Sequence, residues 1–541
     1  MVPQSSIERR RSLLGSLEHG NGEFDLVVIG GGITGAGVAR EAAGSGLRTL
    51  LVEQADFAWG TSSRSSKMVH GGLRYLAGGH YALTREAVRE RQRLLDEAPG
   101  LVDPLHFVMP HYQGEFPGPK VMAGLLWAYD ALAGRKSRQR LSPGQTLQWA
   151  PGLSQNRLVG ASGFTDAVTD DARLVLRVLA EARKDGALCL NYVRAVSILR
   201  NDDGEVRGVA LEETGSGGGK TLTVTAPLVI NATGAWAGNL RPSGNQGERI
   251  RPLRGSHLVL PFQVLPVSCS VACLHPEDRR PVFVFPWQGK TVLGTTDLDH
   301  EDSLDREPVV TESEIEYLLA AARKLFPGSP VEVSDIVSSW SGVRPVVTQG
   351  KSKGLKPSKE NREHVIWQDQ GLISIAGGKL TTFRVIAREV LNHATHHLPD
   401  FSLRANSEPV FAQSSAPARP DDIGALQWRR LHGFYGDQLP QVLNGGSIEA
   451  VPDSDLLWAE VVWAASNEDV IHLDDLMLRR TRLGLTLQDG GYGLLPQVKQ
   501  HCLGALGWDG RRWQKEVERY LALWKTAYSI PDVPTASGAP F

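Results

Sequence analysis

The chain of 541 residues carries 58 Lys and Arg against 60 Asp and Glu, a formal net charge of −2 at pH 7. A chain of this length exceeds what one hydrophobic core usually serves, so two or three domains are expected. The near-neutral charge excludes a general attraction to nucleic acid, and any anion site must be local. The four cysteines are too few for a disulfide framework and favour a reducing, cytoplasmic setting.

Two further classes of protein are not expected. Cys269 and Cys273 lack a second ligand pair, so their spacing predicts no metal site. No apolar run reaches the roughly 18 residues of a membrane-spanning helix. Residues 1–23 are polar, with the basic run ERRR near the start, and predict a disordered or loosely docked arm rather than a signal peptide.

The stretch FDLVVIGGGITGAGVAREAAGSGLRTLLVEQADF (24–57) predicts a βαβ unit. A continuous apolar run over 24–29 is typical of a buried parallel strand, and the Ala-rich residues 34–45 favour a helix. A second buried strand is expected over 47–53.

A G-x-G-x-x-G motif formed by Gly30, Gly32 and Gly35 lies where the first strand turns into the helix. Gly30 permits a tight turn, Gly32 lets a pyrophosphate approach the backbone, and Gly35 permits close helix–strand packing. Glu53 ends the second strand, where a carboxylate accepts the ribose hydroxyls. The pattern predicts a dinucleotide site.

Two features favour FAD over NAD. The third element of the dinucleotide fold, within APLVINATGAWAG (226–238), returns far along the chain, so the domain is discontinuous. The stretch TSSRSSKMVHGGLRYL (61–76) follows the acidic ribose residue directly, as though a second part of the ligand lay beside the first. A further strand, Gly-Gly turn and helix of the same domain are expected over 371–394.

The intervening segments predict a second, α+β substrate domain. RPVFVFPWQGKTVLGTTD (280–297) predicts two strands around a turn at Gln288 and Gly289. TESEIEYLLAAARKLF (311–326) predicts a helix that opens with a capping box of Thr311 and Glu314.

The last third of the chain predicts a linker and a helical domain. Residues 404–420 are rich in Ser, Pro and Ala, and residues 455–485 are aromatic and amphipathic. The predicted organisation is an arm (1–23), a discontinuous FAD-binding domain (about 24–100, 150–250 and 340–403), an inserted substrate domain (about 101–149 and 251–339), a linker (404–420) and a helical C-terminal domain (421–541).

From residue 24 to about 530 the chain resembles the FAD-dependent glycerol-3-phosphate dehydrogenases. The motifs that carry the resemblance are IGGGITGAG, TSSRSSKMVHGGLRYL, DDARLVL, NATGAWA, RGSHLVLP, FPWQGKTVLGTTD, SGVRPV, GGKLTTFR and LRRTRLGL. The resemblance implies a Rossmann-like FAD domain of the D-amino-acid-oxidase type, a substrate sheet and a helical cap. It also implies oxidation of sn-glycerol 3-phosphate to dihydroxyacetone phosphate, electron transfer to quinone at a membrane, and a homodimer.

Such a reaction needs cations for a phosphate dianion and a base for the C2 hydroxyl proton. Arg344, in a predicted Ser/Gly/Pro turn, is the first candidate for the phosphate, and Arg74 with Tyr75 is the second. His257, at the expected start of an apolar strand, is the candidate base or orients the hydroxyl. Each of these residues has a structural alternative, an ion-paired arginine or a core histidine.

Lys379 follows a Gly-Gly pair at a predicted helix N-terminus, where a free cation is unfavourable and an anion is expected nearby. That anion is either the substrate phosphate or the flavin edge. The candidate catalytic residues are therefore His257, Arg344, Arg74 and Lys379, and Tyr75 joins them in substrate binding.

The residues assigned to FAD fall in four stretches. The first βαβ unit supplies the pyrophosphate and ribose, 61–73 the flavin and ribityl chain, 193–195 the adenine, and the two later turns complete the site. A noncovalent FAD is expected. The predicted cofactor-binding residues are Gly30, Gly32, Ile33, Thr34, Gly35, Glu53, Gln54, Thr61, Ser62, Ser66, Lys67, His70, Gly71, Gly72, Leu73, Ala195, Ala232, Thr233, Gly234, Gly378, Lys379, Leu380 and Thr381.

The segment GPKVMAGLLWAYDALAGRKSRQR (118–140) predicts an amphipathic helix flanked by basic residues. Its apolar face is assigned to Val121, Met122, Leu125, Leu126, Tyr129 and Leu132. Such a helix lies in an anionic bilayer interface, on the inner face of the cell membrane, or packs as an ordinary core helix with a basic end.

Three other functions stay open at this point. The first is a glycerol-3-phosphate oxidase that uses O₂, and the second is a flavin-bound sensor without turnover. The third is another hydroxy-acid- or amine-oxidising flavoenzyme, because one arginine alone also clamps a carboxylate.

Overall fold

The structure is a computed structural model that describes residues 6–18, 22–215, 219–240, 248–349, 364–412 and 417–531. Strands and helices are numbered separately along the chain. The strands are β1 (Leu26–Ile29), β2 (Thr49–Val52), β3 (Met68–Val69), β4 (Val102–Tyr112), β5 (Gln139–Leu141), β6 (Leu158–Thr169), β7 (Leu188–Leu190), β8 (Val193–Arg200), β9 (Val206–Glu213), β10 (Lys220–Thr225), β11 (Leu228–Asn231), β12 (Glu248–Pro261), β13 (Ser270–Leu274), β14 (Pro281–Trp287), β15 (Lys290–Gly294), β16 (Leu298–Asp299), β17 (Ser338–Gln349), β18 (Val365–Asp369) and β19 (Leu372–Ala376). The helices are α1 (Ser6–Glu18), α2 (Ile33–Gly44), α3 (Leu73–Ala77), α4 (Tyr81–Glu97), α5 (Pro119–Ala133), α6 (Pro143–Trp149), α7 (Asp171–Lys184), α8 (Glu312–Leu325), α9 (Phe383–Ala394), α10 (Ala425–Tyr435), α11 (Leu439–Asn444), α12 (Trp458–Asn467), α13 (Leu483–Thr486), α14 (Leu495–Cys502) and α15 (Gly510–Ala527).

A six-stranded sheet in the order β18-β19-β11-β1-β2-β7 forms the dinucleotide side of the molecule. All neighbours in it are parallel except β18 and β19. The predicted βαβ unit is confirmed as β1, α2 and β2. Both faces of β1 are buried: Leu26 and Val28 pack in the cluster with α2, α7 and α9, whereas Val27 and Ile29 pack towards the small antiparallel sheet of β8, β9 and β10. Double burial explains the continuous apolar run.

A ten-stranded sheet forms the substrate side and takes strands from segments predicted elsewhere. β17 pairs with β12 from Glu248 opposite Gln349 to Val259 opposite Ser338. β6 pairs with β4 from Leu158 to Thr169, and even β3 joins its edge. The sequence analysis assigned these segments to the FAD-binding domain and predicted no strands in them, because the long antiparallel registers that recruit them are decided by packing across the sheet.

Two elements of the substrate side, the β14–β15 hairpin and α8, follow the prediction. β14 and β15 flank the Gln288–Gly289 turn in antiparallel register. α8 opens with the predicted capping box, in which the Thr311 hydroxyl accepts from the Glu314 backbone and the Glu314 carboxylate accepts from the Thr311 backbone.

Over its described part the N-terminal arm is docked, which is one of the two states, disordered or loosely docked, expected from the sequence. α1 buries Leu14 and Leu17 in the core beside the small antiparallel sheet. The buried guanidinium of Arg10 donates to the backbone carbonyl of Asn191 at 2.6 Å and pairs with Glu213 at 3.3 Å. A polar segment can dock in this way because its buried arginine has hydrogen-bond and ion-pair partners.

The first part of the predicted linker is also packed. Val410 and Phe411 are each 1% exposed and lie in the main core of the dinucleotide side. Arg404 pairs with the buried Glu41 of α2 at 2.8 Å. Residues 413–416 of the linker lie outside the described residues.

The C-terminal helices meet the dinucleotide side through buried ion pairs. A π-helical turn over Asp475–Arg480 follows α12. Arg480 holds Asp56 with two hydrogen bonds of 2.6 and 2.7 Å, and Arg479 donates to the same carboxylate and to Asp475. Among the helices of the described ranges, none is long and apolar enough to cross a membrane.

Candidate active site

A cavity of about 500 Å³ opens where the parallel strands β1, β2, β11 and β19 end. Ile29 and Gly30, Glu53, Ala232 and Gly377 each follow or end one of these strands and line its wall. Ligands of open α/β sheets bind at this carboxyl edge.

The glycine motif shapes the cavity as expected. Gly30 has φ of 115°, and a Cβ there would lie 2.5 Å from the carbonyl oxygen of Ala232. Gly32 precedes α2 and lines the wall, with the first helical amide, that of Ile33, donating to the Ser62 hydroxyl at 3.0 Å. Gly35 does not line the cavity but packs beneath it, because a Cβ would lie 1.9 Å from the carbonyl oxygen of Gly30.

The Glu53 carboxylate is fixed at the end of β2. It accepts from the backbone amides of Gly31 at 2.7 Å and Ala55 at 2.9 Å. Burial raises the pKa of this carboxyl despite those donors. Its position on the wall suits acceptance of ribose hydroxyls.

Most of the predicted cofactor residues lie on this wall. They are Gly30, Gly32, Ile33, Thr34, Glu53, Gln54, Thr61, Ser62, Ala195, Ala232, Thr233, Gly234, Gly378, Lys379 and Leu380. The sequence analysis missed Trp59, Gly60, Ser65, Trp236, Asp305 and Pro345, which also line it. Trp236 lies inside the motif NATGAWA, and Trp59 lies just before TSSRSSKMVHGGLRYL. Their place in or beside these motifs was the only sign in the sequence of a role at the site.

A second group of predicted cofactor residues lies behind the wall. The His70 amide donates to the Thr381 hydroxyl at 3.2 Å, and the Gly71 amide donates to Asp166. A Cβ on Gly71 would lie 2.2 Å from the hydroxyl of Tyr129, so this glycine serves packing. Gly72 and Leu73 begin α3.

Lys67 was predicted to bind the cofactor, and the structure places it elsewhere. It is fully buried, and its ammonium donates to the Ser63 carbonyl at 2.6 Å and to Asp171 at 2.7 Å. It also lies 4.6 Å from the centroid of the Trp340 ring. Its ammonium is thus satisfied within the protein, and a contact of Lys67 with the cofactor stays a prediction.

His257 lies in a tight pocket between β12 and its neighbours. It is 1% exposed, and its ring stacks on Trp340 at a centroid distance of 5.0 Å. Its Nε2 lies 2.9 Å from the hydroxyl of Ser66, which was predicted to contact the flavin. Nδ1 is buried and has no hydrogen-bond partner among the described residues. The strand begins at Glu248, nine residues before the start expected at His257.

The surroundings of His257 favour the neutral imidazole. Burial, followed by the positive charges of Arg344 and Lys67, holds its pKa well below 6.5. A neutral imidazole has a lone pair to accept a proton. The residue therefore has the protonation state that a general base needs.

Arg344 lies on the same sheet as His257, in strand β17 rather than in a turn. Its Nη1 lies 3.2 Å from an Asp297 oxygen, and Arg280 pairs with the same carboxylate at 3.0 Å. Two guanidinium groups thus lie on one buried carboxylate. Because 27% of the Arg344 side chain is exposed, an anion can reach it.

Lys379 and Tyr75 meet at the other side of the site. The Lys379 ammonium lies 3.7 Å from the centroid of the Tyr75 ring, a cation–π contact. Lys379 lines the cavity four residues before α9 begins, in the glycine turn rather than in the helix. Arg74 is exposed on α3, next to Tyr75.

The arrangement fits a bound dinucleotide with a substrate beside it. The cavity offers backbone cradles at Gly30 and Gly32, a carboxylate for ribose and two tryptophans, all on one wall. His257 and Arg344 lie on the facing sheet. Gly342 of this sheet lets the 60–65 segment pack closely, because a Cβ at this position would lie 2.4 Å from the Arg64 carbonyl oxygen.

Comparison with known proteins agrees with this geometry. Residues 25–384 match the family described as FAD dependent oxidoreductase, and residues 400–513 match the C-terminal domain of alpha-glycerophosphate oxidase. The chain is 33% identical over 490 residues to an aerobic glycerol-3-phosphate dehydrogenase of Staphylococcus haemolyticus, covering 85% of this chain and 87% of the relative. It is 34% identical over 527 residues to glycerol-3-phosphate dehydrogenase 2 of Mycobacterium tuberculosis, covering 93% and 88%.

A solved structure leads to the same family. The glycerol-3-phosphate dehydrogenase from Bacillus halodurans complexed with FAD matches with a TM-score of 0.74 at 28% identity, covering 95% of this chain and 97% of that chain. The predicted fold class, a Rossmann-like α/β domain of D-amino-acid-oxidase type with an α+β substrate side and a helical C-terminal domain, is confirmed. The chain belongs to the family of FAD-dependent glycerol-3-phosphate dehydrogenases, and its cofactor is FAD.

Proposed function

We propose that this protein oxidises sn-glycerol 3-phosphate to dihydroxyacetone phosphate and passes the electrons to a quinone. The observation that carries the proposal is the pairing of a buried neutral His257 with the accessible Arg344 on the sheet that faces the cofactor cavity. An alcohol that carries a phosphate needs one proton acceptor and one anion clamp, and these two residues supply them.

Each residue has a defined task in this proposal. Arg344, held by Asp297, binds the substrate phosphate. His257 takes the C2 hydroxyl proton on Nε2 or Nδ1, and bound FAD supplies the acceptor for the C2 hydride. Lys379 adds positive charge on the cavity wall, with its ammonium held over the Tyr75 ring. Arg74 stays a candidate for a second phosphate contact.

Anaerobic bleaching of the flavin tests the substrate. We expect glycerol 3-phosphate to bleach the yellow colour of the wild-type protein, and glycerol and lactate to fail at the same concentration. Arg344→Ala is expected to require roughly 10- to 100-fold more glycerol 3-phosphate, the cost of one charge-assisted contact. Arg207→Ala, at a side chain that is 59% exposed on strand β9, is the control that keeps the wild-type concentration.

Two results would contradict the proposal in different ways. Bleaching by lactate rather than glycerol 3-phosphate points to a hydroxy-acid oxidising enzyme. Unchanged substrate demand in Arg344→Ala means that another group binds the phosphate. A flavin that no substrate bleaches supports the sensor alternative.

The electron acceptor is the second part of the proposal. The aerobic dehydrogenase names of the relatives favour a quinone. The C-terminal match to an alpha-glycerophosphate oxidase domain favours O₂ as the second candidate. Stopped-flow mixing of the reduced protein with a soluble quinone or with air distinguishes them: we expect fast reoxidation by the quinone and slow reoxidation by air, and the reverse order would make the protein an oxidase.

We also propose that α5 attaches the protein to an anionic membrane surface, on the cytoplasmic side. Met122, Leu126 and Tyr129 of α5 are buried, whereas Val121, assigned to the same face from sequence, is 52% exposed. The outward face carries Trp127, 62% exposed, between small residues, and Phe116 just before the helix is 69% exposed. Lys120, Arg135 and Lys136 border it and are exposed. This composition suits a bilayer interface.

Flotation with liposomes that contain anionic lipid tests the attachment. We expect Val121→Asp with Trp127→Asp to abolish flotation while FAD content stays at the wild-type level. Leu426→Asp, at an apolar side chain 86% exposed on α10, is the matched control and should still float. Equal flotation of all three proteins would overturn the proposal. The expected homodimer is checked in the same samples by light scattering.

A further inference from the structure

The C-terminal domain reaches the loop beside the candidate base. Arg482 directly precedes α13 and is only 1% exposed. Its guanidinium donates to the carbonyl of Ser63 at 3.3 Å and to Asp170 at 2.9 Å, and it also pairs with Asp171. A buried arginine from one domain therefore ends on a loop of another.

Asp171, at the start of α7, connects Arg482 to further residues of the loop. The side chain is fully buried, and its Oδ2 accepts from the Ser65 amide at 2.9 Å and the Ser65 hydroxyl at 2.7 Å. Its Oδ1 accepts from the Lys67 ammonium at 2.7 Å. One carboxylate thus fixes the residues on both sides of Ser66, and Arg482 fixes the carboxylate.

Ser66 is the residue that this arrangement leaves facing the base. Its hydroxyl lies 2.9 Å from Nε2 of His257, and the ring behind that histidine, Trp340, donates from Nε1 to the Ser65 carbonyl at 3.2 Å. The loop is therefore tied to both sides of the imidazole. A shift of Ser65 or Lys67 would move the Ser66 hydroxyl relative to Nε2.

A second contact of the C-terminal domain reaches the same place. The Tyr528 hydroxyl lies 3.1 Å from the Arg64 guanidinium, and its backbone carbonyl accepts from Ser339, the neighbour of Trp340, at 2.7 Å. The domain thus holds the loop and the strand that enclose His257.

We infer that Arg482 is a positioning residue for proton transfer: through Asp171 it fixes Ser65 and Lys67 and so holds the Ser66 hydroxyl on His257. The inference rests on the proposed function, because it assigns the proton-accepting role to His257. It gives the C-terminal domain a catalytic task in addition to its packing. A misplacement of about 1 Å at a reacting group is enough to cost roughly 100-fold in rate.

The test compares flavin reduction in holoenzyme variants at saturating glycerol 3-phosphate. Arg482→Met is expected to lower the limiting rate roughly 10- to 100-fold, and to change the half-saturating concentration less than about 3-fold, because the phosphate clamp is untouched. We expect Ser66→Ala to lower the limiting rate by a similar factor and to change the half-saturating concentration equally little. The double variant should fall less than about 3-fold below the slower single variant, since both changes remove one coupled contact.

Arg173→Met is the matched control. Arg173 lies on α7, two residues after Asp171, and its buried guanidinium pairs with Glu468 of the C-terminal side rather than with the loop. We expect this variant to lose stability but to keep the limiting rate. Hydrogen exchange gives a readout independent of turnover: peptides that contain residues 63–67 should exchange faster in Arg482→Met and not in Arg173→Met.

These experiments distinguish a failure of the Arg482 inference from a failure of the proposed function. If Arg482→Met does not retain FAD, the near-isosteric Asp171→Asn and the charge-conserving Arg482→Lys replace it with the same expectations. Equal rate losses in Arg482→Met and Arg173→Met, or full additivity with Ser66→Ala, overturn the inference. Failure of the wild type to be reduced by glycerol 3-phosphate instead overturns the proposed function, and the exchange comparison then still reports whether Arg482 holds the loop.

Discussion

At the scale of single residues, the space around His257 is set by a glycine on the next strand. Gly294 lies opposite His257 in the β12–β15 register. A Cβ on Gly294 would lie 2.2 Å from Cδ2 of the imidazole, closer than any real contact. The ring cannot retreat, because Trp340 stacks on it.

Gly294→Ala is therefore predicted to displace the imidazole from Ser66. We expect the rate of flavin reduction to fall about 100-fold, with FAD content unchanged. Gly163→Ala on β6, where the nearest atom to a new Cβ is at an ordinary 3.4 Å, is the control and should keep the wild-type rate. A normal rate in Gly294→Ala would mean that the His257 position does not matter for turnover.

The charge beside His257 predicts a shift in the pH profile. Burial first and Arg344 second lower the pKa of His257. A base is lost when it is protonated, so activity falls as the pH drops through that pKa. Arg344→Met removes the cation and raises the pKa, and the acid limb of kcat/KM should move to higher pH.

Arg344→Lys keeps the charge and serves as the comparison for this profile. Its acid limb should stay close to that of the wild type even though substrate binding weakens. The phosphate of the substrate titrates identically in both measurements, so only the enzyme group can separate the two curves. Coincident acid limbs would argue against His257 as the titrating base.

The residues of the glycine motif were predictable from sequence, because a strand, a turn and a helix follow one another there. The contacts of Ser66 with His257 and of Lys67 with Asp171 were not predicted, because adjacency in sequence does not tell which partner a loop residue meets. Lys67 turns to Asp171, more than a hundred positions away. Asp305 on the cavity wall carried no local signal at all.

At the scale of elements, α1 is a short helix that carries one buried arginine, Arg10. Arg10 donates to the Asn191 carbonyl and approaches the Asn191 side chain and Glu213. The helix also pairs Arg9 with Asp469 at 2.9 Å and buries Leu14 and Leu17, and it is too short to persist alone. Polar sequence hid this docking, since the partners lie near residues 191 and 213.

Arg10→Ala is predicted to lower the free energy of unfolding by about 1–3 kcal/mol, because it leaves buried acceptors unpaired. Arg11→Ala, at the neighbouring exposed position, should change it by less than about 0.5 kcal/mol. Thermal unfolding followed by circular dichroism measures both. Identical midpoints for the two variants would show that the Arg10 contacts do not contribute to stability.

At the scale of the whole molecule, buried charges join the C-terminal helices to the dinucleotide side. Burial alone would raise the pKa of Asp56, but Arg480 and Arg479 hold it down to about 2. A carboxyl with a lowered pKa stabilises the fold above its ordinary value of 3.8 and loses that contribution as the pH falls towards 2.

Asp56→Asn is predicted to loosen this junction at neutral pH by about 3–5 kcal/mol, the cost of leaving buried arginines without their anion. We expect a separate, earlier calorimetric transition for the C-terminal helices. Asp437→Asn, which breaks the exposed pair with Lys184, should leave a single transition. A single transition in both variants would mean that apolar contacts suffice to join the two parts.

The fold class could be predicted from the sequence, but the assignment of strands to the two large sheets could not. Local patterns identified β1, α2, the β14–β15 hairpin and α8. They could not show that β6 and β17 pair with β4 and β12, because a register of many residues is decided by packing across the sheet. The resemblance to a family supplied the substrate, and the residue patterns alone left it open.

The order of the strands has a consequence for synthesis of the protein. β1 leaves the ribosome early, yet its sheet is completed by β19, and the wall of the cofactor cavity needs Gly378, Lys379 and Leu380. The cavity therefore cannot form until most of the chain has emerged, and Arg482 arrives later still. Until then, unpaired strand edges and apolar strand faces are exposed, so the nascent chain needs protection from aggregation. The protein acquires its cofactor only after translation is nearly complete.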